Sequence, residues 1–144
     1  MKIMAVDLGK ARTGLAVCDP GEMLASPAGV IEEYNRERLL QKVAAAAKER
    51  GAELLVVGLP RNMDGSEGES AQNARSFAEE LAAATGIPVR LCDERGTTIT
   101  AHSYLNATDT RGKKRKAVVD TVAATIILQD YLDYRRNHPE QKDG

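Results

Sequence analysis

Asp7 closes a short apolar run, Ile3-Met4-Ala5-Val6, and is followed by Gly9, Arg12, Thr13 and Gly14 before a second run, Leu15-Ala16-Val17. A strand, a glycine-containing turn and a returning strand read as a hairpin. Period-two geometry lets the first strand's last side chain project at an open sheet edge. Glycines in the turn let backbone approach a phosphate, and the acid can hold a divalent cation beside it. A lone aspartate at a strand end is ordinary; two further acidic positions shift the balance.

On a helical wheel of the last segment, Thr121, Thr125 and Gln129 form a polar stripe, whereas Asp120 falls beside Ala124, Ile127 and Tyr131. An ionised carboxylate on an apolar helix face costs several kcal/mol unless it is paired or binds metal. The competing account is a first-turn acid, favoured by the helix dipole by roughly 0.3 to 1 kcal/mol. The third position is Asp93-Glu94, at the exit of an apolar run. Alternation sends these two side chains to opposite faces, so only one can join the cluster, and periodicity does not choose between them. Arg95, next in line, could pair with either acid or touch phosphate.

Three carboxylates from two strand ends and a helix would bind Mg²⁺ or Mn²⁺, hard cations that prefer oxygen ligands. Two such ions can activate a water and stabilise the leaving oxygen of an in-line phosphodiester displacement. No side-chain nucleophile is then needed, and the two histidines, His102 and His138, belong to no visible triad.

Charge distribution points the same way. Five of the 20 Lys and Arg residues lie within six positions, Arg111, Lys113, Lys114, Arg115 and Lys116, and without them the net charge of −1 becomes −6. Charge runs are ordinarily just solvated. Cations in a loop directly before a helix meet the positive end of its dipole, however, so this run gains nothing from the helix it precedes. A polyanion partner explains it. With one Phe, four Tyr and no Trp, base stacking cannot be the main mode of recognition; backbone and shape contacts suit the composition better.

The elements that must position these residues follow from patterning. After the hairpin, Ala25 to Ile31 reads as a strand that Pro27 and Gly29 confine to an edge. A helix runs from an Asn35 cap to Arg50 with Gly51 after it. Leu54 to Val57 is a buried strand ending at Gly58-Leu59-Pro60. Arg61 to Glu69 is a polar, glycine-containing mobile loop. Ser70 caps a helix with the stripe Ala74, Phe77, Ala78 and Leu81, closed by Gly86. A strand over 87–92, a short helix over 97–107, the basic loop and a helix over 117–134 complete the chain. The order implies an α/β fold, a mixed five-stranded sheet flanked by helices, in one domain over residues 1–136 with a polar tail at 137–144.

Cys18 and Cys92 lie in apolar stretches without metal-ligand spacing and read as reduced thiols. The N-terminal apolar run meets a charge at Asp7, too early for a secretory signal, and no run reaches membrane-spanning length. A cytoplasmic protein without membrane contact is expected, with a homodimer among the assemblies open to it.

Four ordered motifs together are more specific than any one. They are Asp7-Leu8-Gly9 with Arg12-Thr13-Gly14; Gly58-Leu59-Pro60 with Asn62-Met63-Asp64-Gly65-Ser66; Asp93-Glu94-Arg95 with Thr97-Thr98; and Asp120 with Ala123-Ala124. Over residues 1 to 134 this set resembles the bacterial YqgF-type proteins, also called RuvX-type Holliday junction resolvases. The resemblance implies a ribonuclease H-like fold and a nuclease implicated in maturing the 5′ end of precursor 16S rRNA. It also implies metal-binding, catalytic acids at Asp7, Glu94 and Asp120. Arg12, Arg95 and the run Arg111 to Lys116 are the candidate substrate contacts. Better-known resolvases of this fold carry an acid at the end of the fourth strand, where this chain has Gly58-Leu59-Pro60. A branched DNA junction is the alternative substrate, and a noncatalytic RNA-binding assembly factor is the alternative of another class. Asp-x-Gly with a later glycine is also similar to the first phosphate loop of the sugar kinase and actin superfamily, whose members close two such domains around ATP; this chain has room for one.

Overall fold

The computed structural model describes residues 1–61, 64, 66–93 and 112–137, with the side chains of 112–121 excepted. Five strands form one sheet: β1 (Ile3–Asp7), β2 (Arg12–Cys18), β3 (Ala25–Glu32), β4 (Leu54–Leu59) and β5 (Val89–Asp93). Their spatial order is β3-β2-β1-β4-β5. The first three run antiparallel to one another in sequence, while β1, β4 and β5 are mutually parallel. The expected mixed five-stranded sheet is therefore observed, and β3 is an edge strand. Pro27, which lacks a ladder donor, sits there opposite Ala16, next to a shift in register between Leu15 and Ala16.

Parallel neighbours need long crossovers, and helices supply them. α1 (Arg36–Glu49) connects β3 to β4, and α2 (Glu69–Thr85) connects β4 to β5. The Asn35 side chain caps α1 by accepting from the Arg38 amide at 2.9 Å. Gly51 follows its last turn at φ 68°, a left-handed conformation that glycine adopts without a Cβ clash. α3 (Gly112–Asn137) covers the other side of the sheet.

Alternation divides the core in two. Met4, Val6, Leu15, Leu55, Val57 and Leu59 pack under α1 and α2 with Leu39, Val43, Phe77 and Leu81. Ile3, Ala5, Ala16, Cys18, Leu54 and Val56 pack under α3 with Ala124, Ile127, Leu128 and Leu132. Strands buried on both faces account for the continuous apolar run Leu54 to Val57. No helix among the described residues is long and apolar enough to cross a membrane.

Three boundaries differ from the sequence reading. The N-cap of α2 is Gly68, not Ser70, which lies inside the first turn; an antiparallel bridge between Arg61 and Glu67 delivers the chain directly to Glu69. α3 begins at Gly112, so Lys113, Lys114, Arg115 and Lys116 belong to its first turns and not to a preceding loop. Lys and Arg are strong helix formers, and that propensity outweighs their unfavourable place at the positive end of the dipole. Finally, Arg61 to Glu69 is not only an open loop, because its two ends are bridged. The expected helix over 97–107 lies outside the described residues.

Candidate active site

The strand order reverses between β1 and β4, and in open α/β sheets the crevice beyond the carboxyl ends of strands at such a reversal is where ligands bind. Asp7 is the last residue of β1 and stands at that crevice. It is half-buried, faces Gly14 across the antiparallel pair, and is level with Gly58, since Val6 registers with Val57 on β4. By alternation with Ile3 and Ala5, the carboxylate belongs to the α3 face of the sheet. Gly14 and Gly58 occupy the same face at this level, in line with Ala16 and Val56, and offer no side chain.

The turn after Asp7 is fixed by Gly9. A Cβ at this position would stand 2.1 Å from the Arg12 carbonyl oxygen, so no other residue fits without moving the hairpin. Arg12 opens β2 and reaches Glu32 on β3 at 3.6 Å. An exposed pair of this kind is worth about 0 to 1 kcal/mol and gives way readily to a phosphate.

α3 carries the second acid of the sequence reading. Near its C-terminus, Arg135 pairs with Glu22 at 2.9 Å, and Glu22 also holds the Met1 amino group at 3.1 Å. Asp120 lies fifteen residues earlier on the same helix. Asp120 is also four residues before Ala124 and seven before Ile127, both buried against the sheet; its own side chain is outside the described residues.

At β5 the structure describes one of the two acids that periodicity alone left open, Asp93. Leu91 packs with the α1 and α2 core and Cys92 with the α3 core. Asp93, in step with Leu91, belongs to the side away from Asp7, and it pairs with Arg61 at 3.7 Å. Glu94, Arg95 and Arg111 lie outside the described residues, as do the side chains of Lys113, Lys114, Arg115 and Lys116. Among the described residues no three acids, histidines or cysteines come together to hold a metal ion. The Asp7 carboxylate, on a face where the neighbouring Gly14 and Gly58 carry no side chain, fits a hard cation in donor chemistry, as one member of a set.

The sequence reading missed a charged network beside this edge. Arg61 lies 3.3 Å from Glu67, and Glu67 accepts two hydrogen bonds from Arg75, at 2.7 and 2.8 Å. The hydrogen bonds from Arg75, aided by both positive charges, hold the Glu67 carboxyl below its usual range. The only sequence signal was the alternation of charge between loop and helix, which does not specify partners.

At a TM-score of 0.60 and 14% identity, the structure covers 95% of this chain and 96% of Thermus thermophilus RuvC in complex with a Holliday junction substrate. The fold is the ribonuclease H-like fold of the resolvases. The family model described as RuvX, Holliday junction resolvase, matches residues 1–134, and the chain belongs to that family. A candidate pre-16S rRNA nuclease of Anaeromyxobacter sp. (strain Fw109-5) is 47% identical over 135 residues, covering 94% of this chain and 98% of the relative. Another, from Chloroflexus aurantiacus, is 40% identical over 139 residues, covering 96% and 91%. The chain is a nuclease, a hydrolase of phosphodiester bonds.

Proposed function

We propose that this nuclease cleaves precursor 16S rRNA at its 5′ end, using Mg²⁺ or Mn²⁺ held by Asp7, Glu94 and Asp120. The observation that carries the reading is Asp7 itself: a half-buried carboxylate at the strand-order reversal, flanked by two glycine positions on the face that α3 covers. The helical spacing of Asp120 from Ala124 and Ile127, both buried against the sheet, supports the second ligand. Asp93 is committed to Arg61 on the opposite face, which supports Glu94 as the third. The rRNA substrate is the one named for the relatives at 40 to 47% identity.

Divalent ions bound there would supply an activated water and charge stabilisation for the leaving oxygen. The protein's part would be to present its acids at the end of the sheet and to orient the phosphodiester. Arg12, Arg95 and Arg111 to Lys116 would grip the backbone on either side. The cations of the run oppose the dipole of α3, which they enter within two turns of Asp120. Phosphate contacts offset that cost and fix register without reading bases. A cytoplasmic location follows from this substrate.

The test is incubation of the protein with precursor 16S rRNA, a four-way DNA junction and a plain duplex, each with and without Mn²⁺. Mn²⁺-dependent release of the rRNA 5′ leader, with slower cutting of the other two, is expected. Preferential cutting of the junction would reassign the substrate, and binding of rRNA without cleavage would reduce the protein to an assembly factor.

A further inference from the structure

We infer that Tyr34 is a substrate-positioning residue whose ring stacks on one unpaired base of the nucleic acid, a few nucleotides from the bond cleaved at Asp7. The inference deepens the reading of an RNA-cleaving nuclease with Asp7 at its centre, and rests on it. Tyr34 is 85% exposed, more than any other large apolar side chain among the described residues. Apolar side chains exposed singly are ordinary. This one differs in its place and in its support.

Asp7 registers with Gly14, and Gly14 with Val30, so one rung runs from the end of β1 across β2 to β3. β3 runs in the direction of β1, since both are antiparallel to β2, and its last rung pairs Glu32 with Arg12. Tyr34 follows two residues later, at the same end of the sheet as Asp7. Two strand spacings make about 10 Å across, and four residues reach at most about 14 Å along. The Tyr34 Cα is thus within about 17 Å of that of Asp7, the length of about five stacked nucleotides at roughly 3.4 Å each. Met23, Leu24 and Tyr134, the other exposed apolar side chains, belong to the opposite end, where Arg135 holds Glu22 and Glu22 holds the N-terminus.

The support is rigid. The Glu33 amide donates to the Ala11 carbonyl at 2.9 Å, and the Glu33 carboxylate accepts from the Asn35 amide at 3.2 Å and pairs with Lys42 at 2.9 Å. Asn35 caps α1. Both chain neighbours of Tyr34 are therefore fixed, while its own ring is left to solvent. A side chain with two torsions on a fixed backbone loses little conformational entropy when it binds. Between Asp7 and Tyr34 lie Lys10, exposed in the β1–β2 turn, and Arg12, whose partner Glu32 is itself exposed. These cations suit the intervening phosphates, and Lys42 neutralises Glu33, the acid next to the ring. Bases of a duplex are stacked on one another, whereas those of a single strand can be splayed onto an aromatic face. The site therefore selects an unpaired nucleotide beside the cleaved bond. One stacked base agrees with a chain poor in aromatics, in which backbone contacts carry the rest of recognition.

The test is binding of a short single-stranded RNA and of a plain RNA duplex to the intact protein, followed by fluorescence anisotropy in EDTA so that neither is cut. Tyr34→Ala should weaken single-strand binding about fivefold or more, the low end for one base stacked on an aromatic, and leave duplex binding unchanged. Its salt slope should equal that of the wild type, because a stack releases no counterions. Tyr34→Phe should bind as the wild type does. The chain contains no tryptophan, so the emission of Tyr34→Trp reports this position alone; the single strand should quench it and the duplex should not. Wild-type affinity of Tyr34→Ala for the single strand, equal losses on both RNAs, or emission of Tyr34→Trp that bound single strand leaves unchanged would overturn the inference while leaving cleavage of precursor rRNA by the wild type untouched. A wild type that binds neither RNA and releases no rRNA leader would remove the rRNA reading, and this inference with it.

Discussion

Replacing Glu22 with glutamine should loosen the anchor that sets α3 at its level on the sheet, and the effect should vanish in acid. Glu22 takes φ 57°, a left-handed conformation that costs a non-glycine residue roughly 1 to 2 kcal/mol. Its side chain must more than offset this. It does so through Arg135, whose side chain is only 8% exposed and whose Nε donates at 2.9 Å, and through the Met1 amino group at 3.1 Å. Hydrogen bonds to charged groups contribute about 1.5 to 3 kcal/mol, and an amide oxygen in the same place keeps about 1. The expected loss is about 2 kcal/mol, or about 4 to 8 °C in Tm for a chain of this size. Burial raises the Glu22 carboxyl, but the hydrogen bonds from Arg135 and the amino group overcome it, and the group titrates below its ordinary value. A depressed carboxyl contributes stability that is complete above its unfolded pKa and lost as pH falls through its folded one. Thermal unfolding of both proteins followed by circular dichroism should therefore show the gap at pH 7 and its closure below about pH 4. A gap equally wide at pH 3, or none at pH 7, would refute the assignment of the anchor to the ionised pair.

Three further outcomes follow from the site. Gly9→Ala should destabilise the β1–β2 hairpin by more than about 2 kcal/mol, because the new Cβ has only backbone to push against, and urea unfolding checks it. Changing Lys113, Lys114 and Lys116 together to glutamine should weaken binding of rRNA, junction and duplex alike; each lost contact lowers the salt slope by roughly 0.9 on duplex DNA or 0.7 on single strands, and an unchanged slope would move the substrate groove elsewhere. Asp120→Asn should abolish cleavage while leaving the unfolding curve intact, since the change removes charge and keeps shape; retained activity would remove Asp120 from the ligand set.

Much of this architecture was legible because burial imposes period. The continuous run Leu54 to Val57 could only be a strand covered on both faces, and Asn35 with Gly51 bracketed α1 without help from tertiary structure. Asp7 stood out because strand, acid and glycine turn occur in one short stretch. The face that Asp93 takes was not legible: Leu91 and Cys92 are both apolar, so their order does not say which faces α3. Long-range charge pairing was also invisible. Arg61, Glu67, Arg75 and Asp93 span more than thirty residues of polar loop, helix and strand, and nothing local marks them as one network. The start of α3 was misread for a different reason, since the dipole argued against cations in its first turns while the propensity of Lys and Arg favoured helix.

The measurement that bears most directly on the central claim is Mn²⁺-dependent cleavage of precursor 16S rRNA by the wild type beside Asp7→Asn, with folding of both verified by circular dichroism. The account predicts leader release by the wild type, stopped by chelation, and none by Asp7→Asn at equal stability. Equal cleavage by the two proteins would contradict it, because a nuclease that works without Asp7 does not hold its metal at the end of β1.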